Sequence, residues 1–119
     1  MRPGSTVAGA VMCALVVASA SAHRRDEHLQ AARIGIEPDH VTVDLDVTPG
    51  ADLAAAAIAA IDQDGDGTLS PAERDAYAGR VAGDLWLSND RRVHTLRLIS
   101  ATFPEPAAMR RGEGTIALR

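Results

Sequence analysis

Three aspartates at alternate positions, Asp62, Asp64 and Asp66, are interleaved with Gly65 and closed by Gly67, between two stretches of helix-forming sequence. Glycine readily takes the positive φ that a sharp turn needs, so the chain is expected to turn tightly here. A tight loop can aim alternate carboxylates inward at one point, which suits a hard cation that collects 6–8 oxygens at about 2.3–2.6 Å. The plain alternative is a solvated acidic surface loop.

The flanks set the elements around this loop. Ser70-Pro71-Ala72-Glu73 is a helix-start signature, with Ser70 as N-cap, Pro71 at the first position and Glu73 closing a capping box. A helix over residues 71–84 follows, with Tyr77, Val81 and Leu85 along one face and Gly79 and Gly83 weakening its later turns. Before the loop, residues 51–61 are rich in alanine and predict a short helix, with Thr48 as N-cap and Pro49 at its first position. Further upstream, Val41, Val43, Leu45 and Val47 alternate with Thr42, Asp44 and Asp46, the period of a half-buried strand. Residues 29–36 are strand-compatible, and Glu37-Pro38-Asp39-His40 supplies the turn between. Residues 85–88, 93–103 and 115–118 read as three more strands, separated by Asn89-Asp90-Arg91-Arg92 and by a loop over residues 104–114. The order of two strands, two helices and three strands predicts an α+β domain: a small antiparallel sheet or sandwich with a helix-loop-helix inserted over residues 51–85.

Residues 62–73 satisfy the twelve-residue EF-hand pattern at every ligand position, and the segment from Ala51 to Leu85 resembles an EF-hand. The resemblance implies Ca²⁺ bound by the side chains of Asp62, Asp64 and Asp66 and by the backbone carbonyl of Thr68. Ser70 would contribute directly or through water, and Glu73 with both carboxylate oxygens. Gly67 falls at the sharp turn and Leu69 at the inward apolar position. Ser70 and Glu73 taken alone read equally as a helix cap. Sensor EF-hands come in pairs, and no second loop of this kind exists in the sequence, so a structural or interaction role is expected rather than an opening switch. Leu69 must then pack on the sheet.

Arg2 precedes an uncharged run with an apolar centre over residues 7–18 and the small-residue sequence Ala20-Ser21-Ala22. That is the order of a secretory signal, too short for a membrane span. It predicts cleavage after residue 22, a domain over residues 23–119, and a secreted or extracytoplasmic location. An uncleaved anchor is the alternative. Cys13, the sole cysteine, lies inside the signal, so no disulfide is expected. More broadly, an exported segment ending in Ala-His, a strand pair, Thr-Pro-Gly, the acidic loop with Ser-x-x-Glu, paired strands and a closing Gly-Glu-Gly-Thr-Ile is similar to the extracytoplasmic N-terminal region of bacterial nickel/cobalt-permease-like membrane proteins. The resemblance implies an accessory domain with a membrane transporter or envelope protein as partner.

The remaining chemistry is sparse. Cleavage would make His23 the N-terminal residue, and with His28 and Asp26 it offers an alternative site for nickel, cobalt or copper. A solvated, charged N-terminus is the simpler expectation there, and His40 and His94 read as surface histidines. Asp44 and Asp46 share the solvated face of their strand. No nucleophile, base or phosphate loop is recognisable, so no enzyme is expected. The formal net charge of −4 and the scattered arginine pairs argue against nucleic acid. Every basic residue apart from histidine is arginine, and alanine is abundant, a bias that fits a GC-rich bacterial genome. Tyr77, Trp86 and Phe103 are the only aromatics, so the core must be aliphatic and the fold only modestly stable.

Overall fold

Alternating apolar residues over 41–47 need a partner sheet face and a core to cover, and both are present in the structure, a computed structural model that describes residues 25–119. The predicted signal segment, Cys13 and His23 lie outside the described residues. Strand β1 (His28–Ile36) and strand β2 (Val41–Pro49) form a continuous antiparallel hairpin, with Ala32 opposite Leu45 and Ile34 opposite Val43. Helices α1 (Ala54–Ile61) and α2 (Pro71–Asp84) come next. They are followed by a ribbon of β3 (Trp86–Asn89) and β4 (Arg92–Thr95). The chain then adds β5 (Ala101–Thr102), α3 (Pro106–Arg110) and β6 (Ile116–Leu118). The main sheet has the order β1-β2-β6-β5, antiparallel throughout, and β3-β4 stands apart as its own two-stranded sheet. The α+β class read from the sequence is therefore present, with the helix pair falling between the second and third strands.

Ala54, Ile58 and Ile61 recur at helical spacing on α1 and are buried with Leu69, Ala78 of α2, Met109 of α3 and Ile116 and Leu118 of β6. Leu69 thus joins a core shared with the sheet. Tyr77, Val81, Leu45 and Phe103 pack around its rim, and the Tyr77 and Phe103 rings meet edge-on at 6.0 Å. The opposite face of the sheet carries charge. Arg33 and Arg119 bracket Asp44 and Asp46, with Nη2 of Arg33 3.0 Å from Asp46 and Nη1 of Arg119 2.9 Å from it. Arg119 Nε lies 3.4 Å from Asp44. These two guanidinium groups hold the Asp46 carboxyl below the usual aspartate range, Arg119 more than Arg33.

Several sequence expectations are corrected. The first helix starts at Ala54, not at residue 51, and neither Thr48 nor Pro49 begins it. Pro49 is a buried residue ending β2, and the Thr48 hydroxyl bonds that of Thr115 at 2.6 Å. The ladder is prolonged past Pro49 because Gly50 N–H donates to the Glu27 carbonyl and Asp52 N–H to that of Arg25. A Cβ on Gly50 would strike the Arg25 carbonyl oxygen, so this close backbone approach requires glycine. The strand expected over 93–103 is broken, because its two ends pair in different sheets: β4 with β3, and β5 with β6. Its middle is tied to Arg119 instead: Ile99 and Ser100 N–H donate to the Arg119 carbonyl, and Arg119 N–H donates to the Ser100 carbonyl. The loop expected over 104–114 contains α3, opened by Pro106 and anchored by fully buried Met109. His28 opens β1, so that strand begins one residue before the 29–36 read from the sequence. Leu85 caps α2, so the next strand begins at Trp86.

Candidate metal centre

Helix α1 ends at Asp62, whose N–H still donates to the Ile58 carbonyl at 2.8 Å while its backbone turns extended. Its carboxylate then organises the loop: Oδ1 accepts from Gly65 N–H at 2.7 Å and Oδ2 from Gly67 N–H at 2.9 Å. Asp64 accepts from Asp66 N–H at 3.1 Å, and Asp66 from both the N–H and the hydroxyl of Thr68 at 2.7 Å. Each aspartate thus bonds its own backbone two to five residues on, the short-range pattern that favours turns over helix. Gly67 carries φ +83° with open space around it, so its requirement for glycine comes from the backbone alone.

These turns bring one carboxylate oxygen from each of Asp62, Asp64 and Asp66 within 4.8 Å of the other two. Oxygens on opposite sides of a cation at about 2.3–2.6 Å are roughly 4.6–5.2 Å apart, so the three fit a single coordination sphere. Among the described residues, no other group of three or more histidine, cysteine, aspartate or glutamate side chains is gathered closely enough to hold a metal. Exposed acidic groups also cluster in proteins without any ion.

Glu73 stands outside this trio. Set in the first turn of α2 and only 8% exposed, its carboxylate links the two ends of the loop. Oε1 accepts from Gln63 N–H at 2.6 Å and Asp64 N–H at 3.3 Å, while Oε2 accepts from the Ser70 hydroxyl at 2.7 Å and N–H at 2.9 Å. The Ser70 hydroxyl in turn accepts from Glu73 N–H, completing the capping box. The Ser70 hydroxyl, then the Ser70, Gln63 and Asp64 backbone donors, pull the Glu73 pKa down to about 2 against the opposing effect of burial. Glu73 is therefore ionised at neutral pH before any cation arrives. Of the six positions read as ligands, the structure gathers Asp62, Asp64 and Asp66. Ser70 and Glu73 are placed beside them as a hydrogen-bonded cap, and Thr68 is tied by its side chain to Asp66.

Two contributors had no local signal. Arg80, twenty residues from Ala60, donates to the Ala60 carbonyl at 2.8 Å and so fastens α2 to the end of α1, with its guanidinium over the Tyr77 ring. Gln63 assists through its amide, 3.1 Å from the same carbonyl, and through its N–H on Glu73. The described histidines are elsewhere: His28 opens β1, His40 pairs with Asp39 at 2.7 Å, and His94 with Asn89 at 2.9 Å. A groove of about 390 Å³ between β2 and residues 95–99 has no lining residue from the acidic loop. No helix among the described residues is long and apolar enough to cross a membrane. Comparison with protein-family models, with curated proteins and with solved structures returns no match.

Proposed function

We propose that residues 62–73 form an EF-hand calcium site in an exported domain, and that the bound ion fixes α1 and α2 against the sheet. The convergence of the Asp62, Asp64 and Asp66 oxygens within 4.8 Å carries this reading. Three further features support it: positive φ at Gly67, Leu69 buried in the core, and Glu73 ionised at the mouth of the loop. Asp62, Asp64, Asp66 and Glu73 would hold the ion, with the Thr68 carbonyl and Ser70 completing the shell. A dication supplies charge neutralisation for four carboxylates that otherwise rely on N–H groups and water. A lone loop whose apolar residue is spent in the core suits a structural role better than an opening switch. The activity is binding, not catalysis. A transporter or envelope protein is the partner class that an exported accessory domain would serve.

Titration calorimetry with Ca²⁺ is the direct test. One ion should bind the wild type, Asp62→Ala should abolish the heat, and Mg²⁺ should bind more weakly because it demands a smaller octahedral shell. No heat at millimolar Ca²⁺ overturns the reading. Protein recovered from the extracytoplasmic fraction should begin at His23, whereas an intact Met1 would replace export by anchoring.

A further inference from the structure

The β3–β4 ribbon stands outside the main sheet, and its two faces differ. Side chains alternate along a strand, and directly opposed residues share a face. The pairs Trp86–Thr95 and Ser88–Val93 therefore make one face, with Leu87 and His94 on the other. Leu87 is half-buried, so its face is the one turned to the body of the domain. The outward face bears no charge, and its diagonal neighbours Trp86 and Val93 are 66% and 68% exposed. Neither lines the groove beside β2. Asp90, in left-handed backbone at φ 48°, turns the chain at the tip; Arg91 and Arg92 follow it, and Arg97 comes soon after β4. Among the described residues these three arginines hold no ion pair, whereas Arg25, Arg33, Arg111 and Arg119 each hold a carboxylate. Over residues 84–99 they outnumber the acids, Asp84 and Asp90, while residues 25–83 carry 12 acidic residues against 4 arginines.

We infer that the ribbon is a membrane-surface contact: its outward face lies in the headgroup layer of an anionic bilayer, with Arg91, Arg92 and Arg97 on the lipid phosphates. Charge selects the sign of the partner. In an acidic chain, the unneutralised arginines are gathered around one uncharged face, and charges further away than about 8 Å are largely screened at physiological ionic strength. Trp86 selects lipid among anions. An indole has an apolar body and one N–H, the pairing that suits the boundary between headgroup and acyl chain. Phosphate above and acyl chain below take up both the arginines and the Trp86–Val93 pair, whereas an acidic peptide or polyanion accounts for the arginines alone. The depth is limited by the backbone. Both outer edges of the two-stranded ribbon are unpaired among the described residues, and unpaired N–H and C=O groups keep out of the hydrocarbon core. The contact is therefore interfacial. It stands whether or not the acidic loop binds calcium.

Trp86 is the sole tryptophan, so its fluorescence reports on this face alone. The full chain is mixed, in EDTA, with vesicles of phosphatidylglycerol and phosphatidylcholine in equal parts and with vesicles of phosphatidylcholine only. The anionic vesicles should shift the emission to the blue and allow quenching by brominated acyl chains, and the neutral ones should not. The apolar run over residues 7–18 is common to every variant, so differences between variants belong to the ribbon. Each of Arg91→Gln, Arg92→Gln and Arg97→Gln should weaken partitioning about fivefold, and the triple variant about a hundredfold. The triple Arg→Lys variant should keep the shift, and circular dichroism checks that each variant folds. In the wild type itself the shift should fade as salt is raised. No shift on anionic vesicles overturns the inference, as does an equal shift on neutral ones. So does a shift that is indifferent to salt, that the folded glutamine variant retains or the folded lysine variant loses, or that heparin reproduces without lipid.

Discussion

Glu73 has two possible sets of partners, and the choice between them governs the loop. In the structure its oxygens are fully engaged by Ser70, Gln63 and Asp64, and its pKa of about 2 means that cation binding would displace N–H donors rather than a proton. Glu73→Gln keeps an oxygen for the Ser70 contacts but loses the charge and the second oxygen. Ca²⁺ affinity measured by calorimetry should fall several-fold or more, while α2 helicity in EDTA should change little. Equal affinity would reduce Glu73 to a cap. Two glycines give a contrast of sign: Gly67→Ala should cost about 1–2 kcal/mol because its left-handed backbone penalises a Cβ. Gly79→Ala, in open space on helical backbone, should stabilise by about 0.5–1 kcal/mol. Urea denaturation in EDTA measures both.

At the level of elements, what the sequence revealed depends on how local the deciding contact is. Helix α2 was legible to its bounds because Ser70, Pro71 and Glu73 lie within one turn of each other, and β2 because its alternation is continuous. The start of α1 was not, since Pro49, Gly50 and Asp52 are held in the ladder by the backbone of residues 25–28, which no window around residue 50 contains. Helix α3 depends on a core site for Met109 assembled from α1 and β6. The three aspartates were legible for the same reason as α2, whereas the Arg80–Ala60 tether was not. The sheet's charged face yields a pH prediction. Asp46 has its folded pKa lowered by Arg119 and Arg33, so its contribution is present above the ordinary aspartate range and is lost as pH falls through the folded value. Wild type should therefore exceed Asp46→Asn in urea midpoint at pH 6, and the gap should close toward pH 3. A constant gap would assign the effect to packing.

For the whole molecule, an aliphatic core with a single Met and three aromatics at or beyond its rim leaves little stability in reserve, so a bound ion should be felt globally. A ligand that binds only the folded state adds about 1.4 kcal/mol at tenfold and about 2.7 kcal/mol at a hundredfold excess over Kd. For a domain of this size that raises Tm by roughly 5–20 °C. Melts in EDTA and in millimolar Ca²⁺ should differ by this amount, and Asp62→Ala should erase the difference. Superimposable wild-type melts would leave the loop without a structural role. The pairing of β2 with β6 has a consequence in time as well. Leu45 faces Leu118 and Val47 faces Ile116, so the β1–β2 hairpin lacks its neighbour in the sheet until residues 116–118 have been produced. The helices can form locally at once, but loop closure over some seventy residues is slow. During synthesis β2 therefore waits, with the edge that β6 will cover left unpaired, until some seventy further residues have emerged.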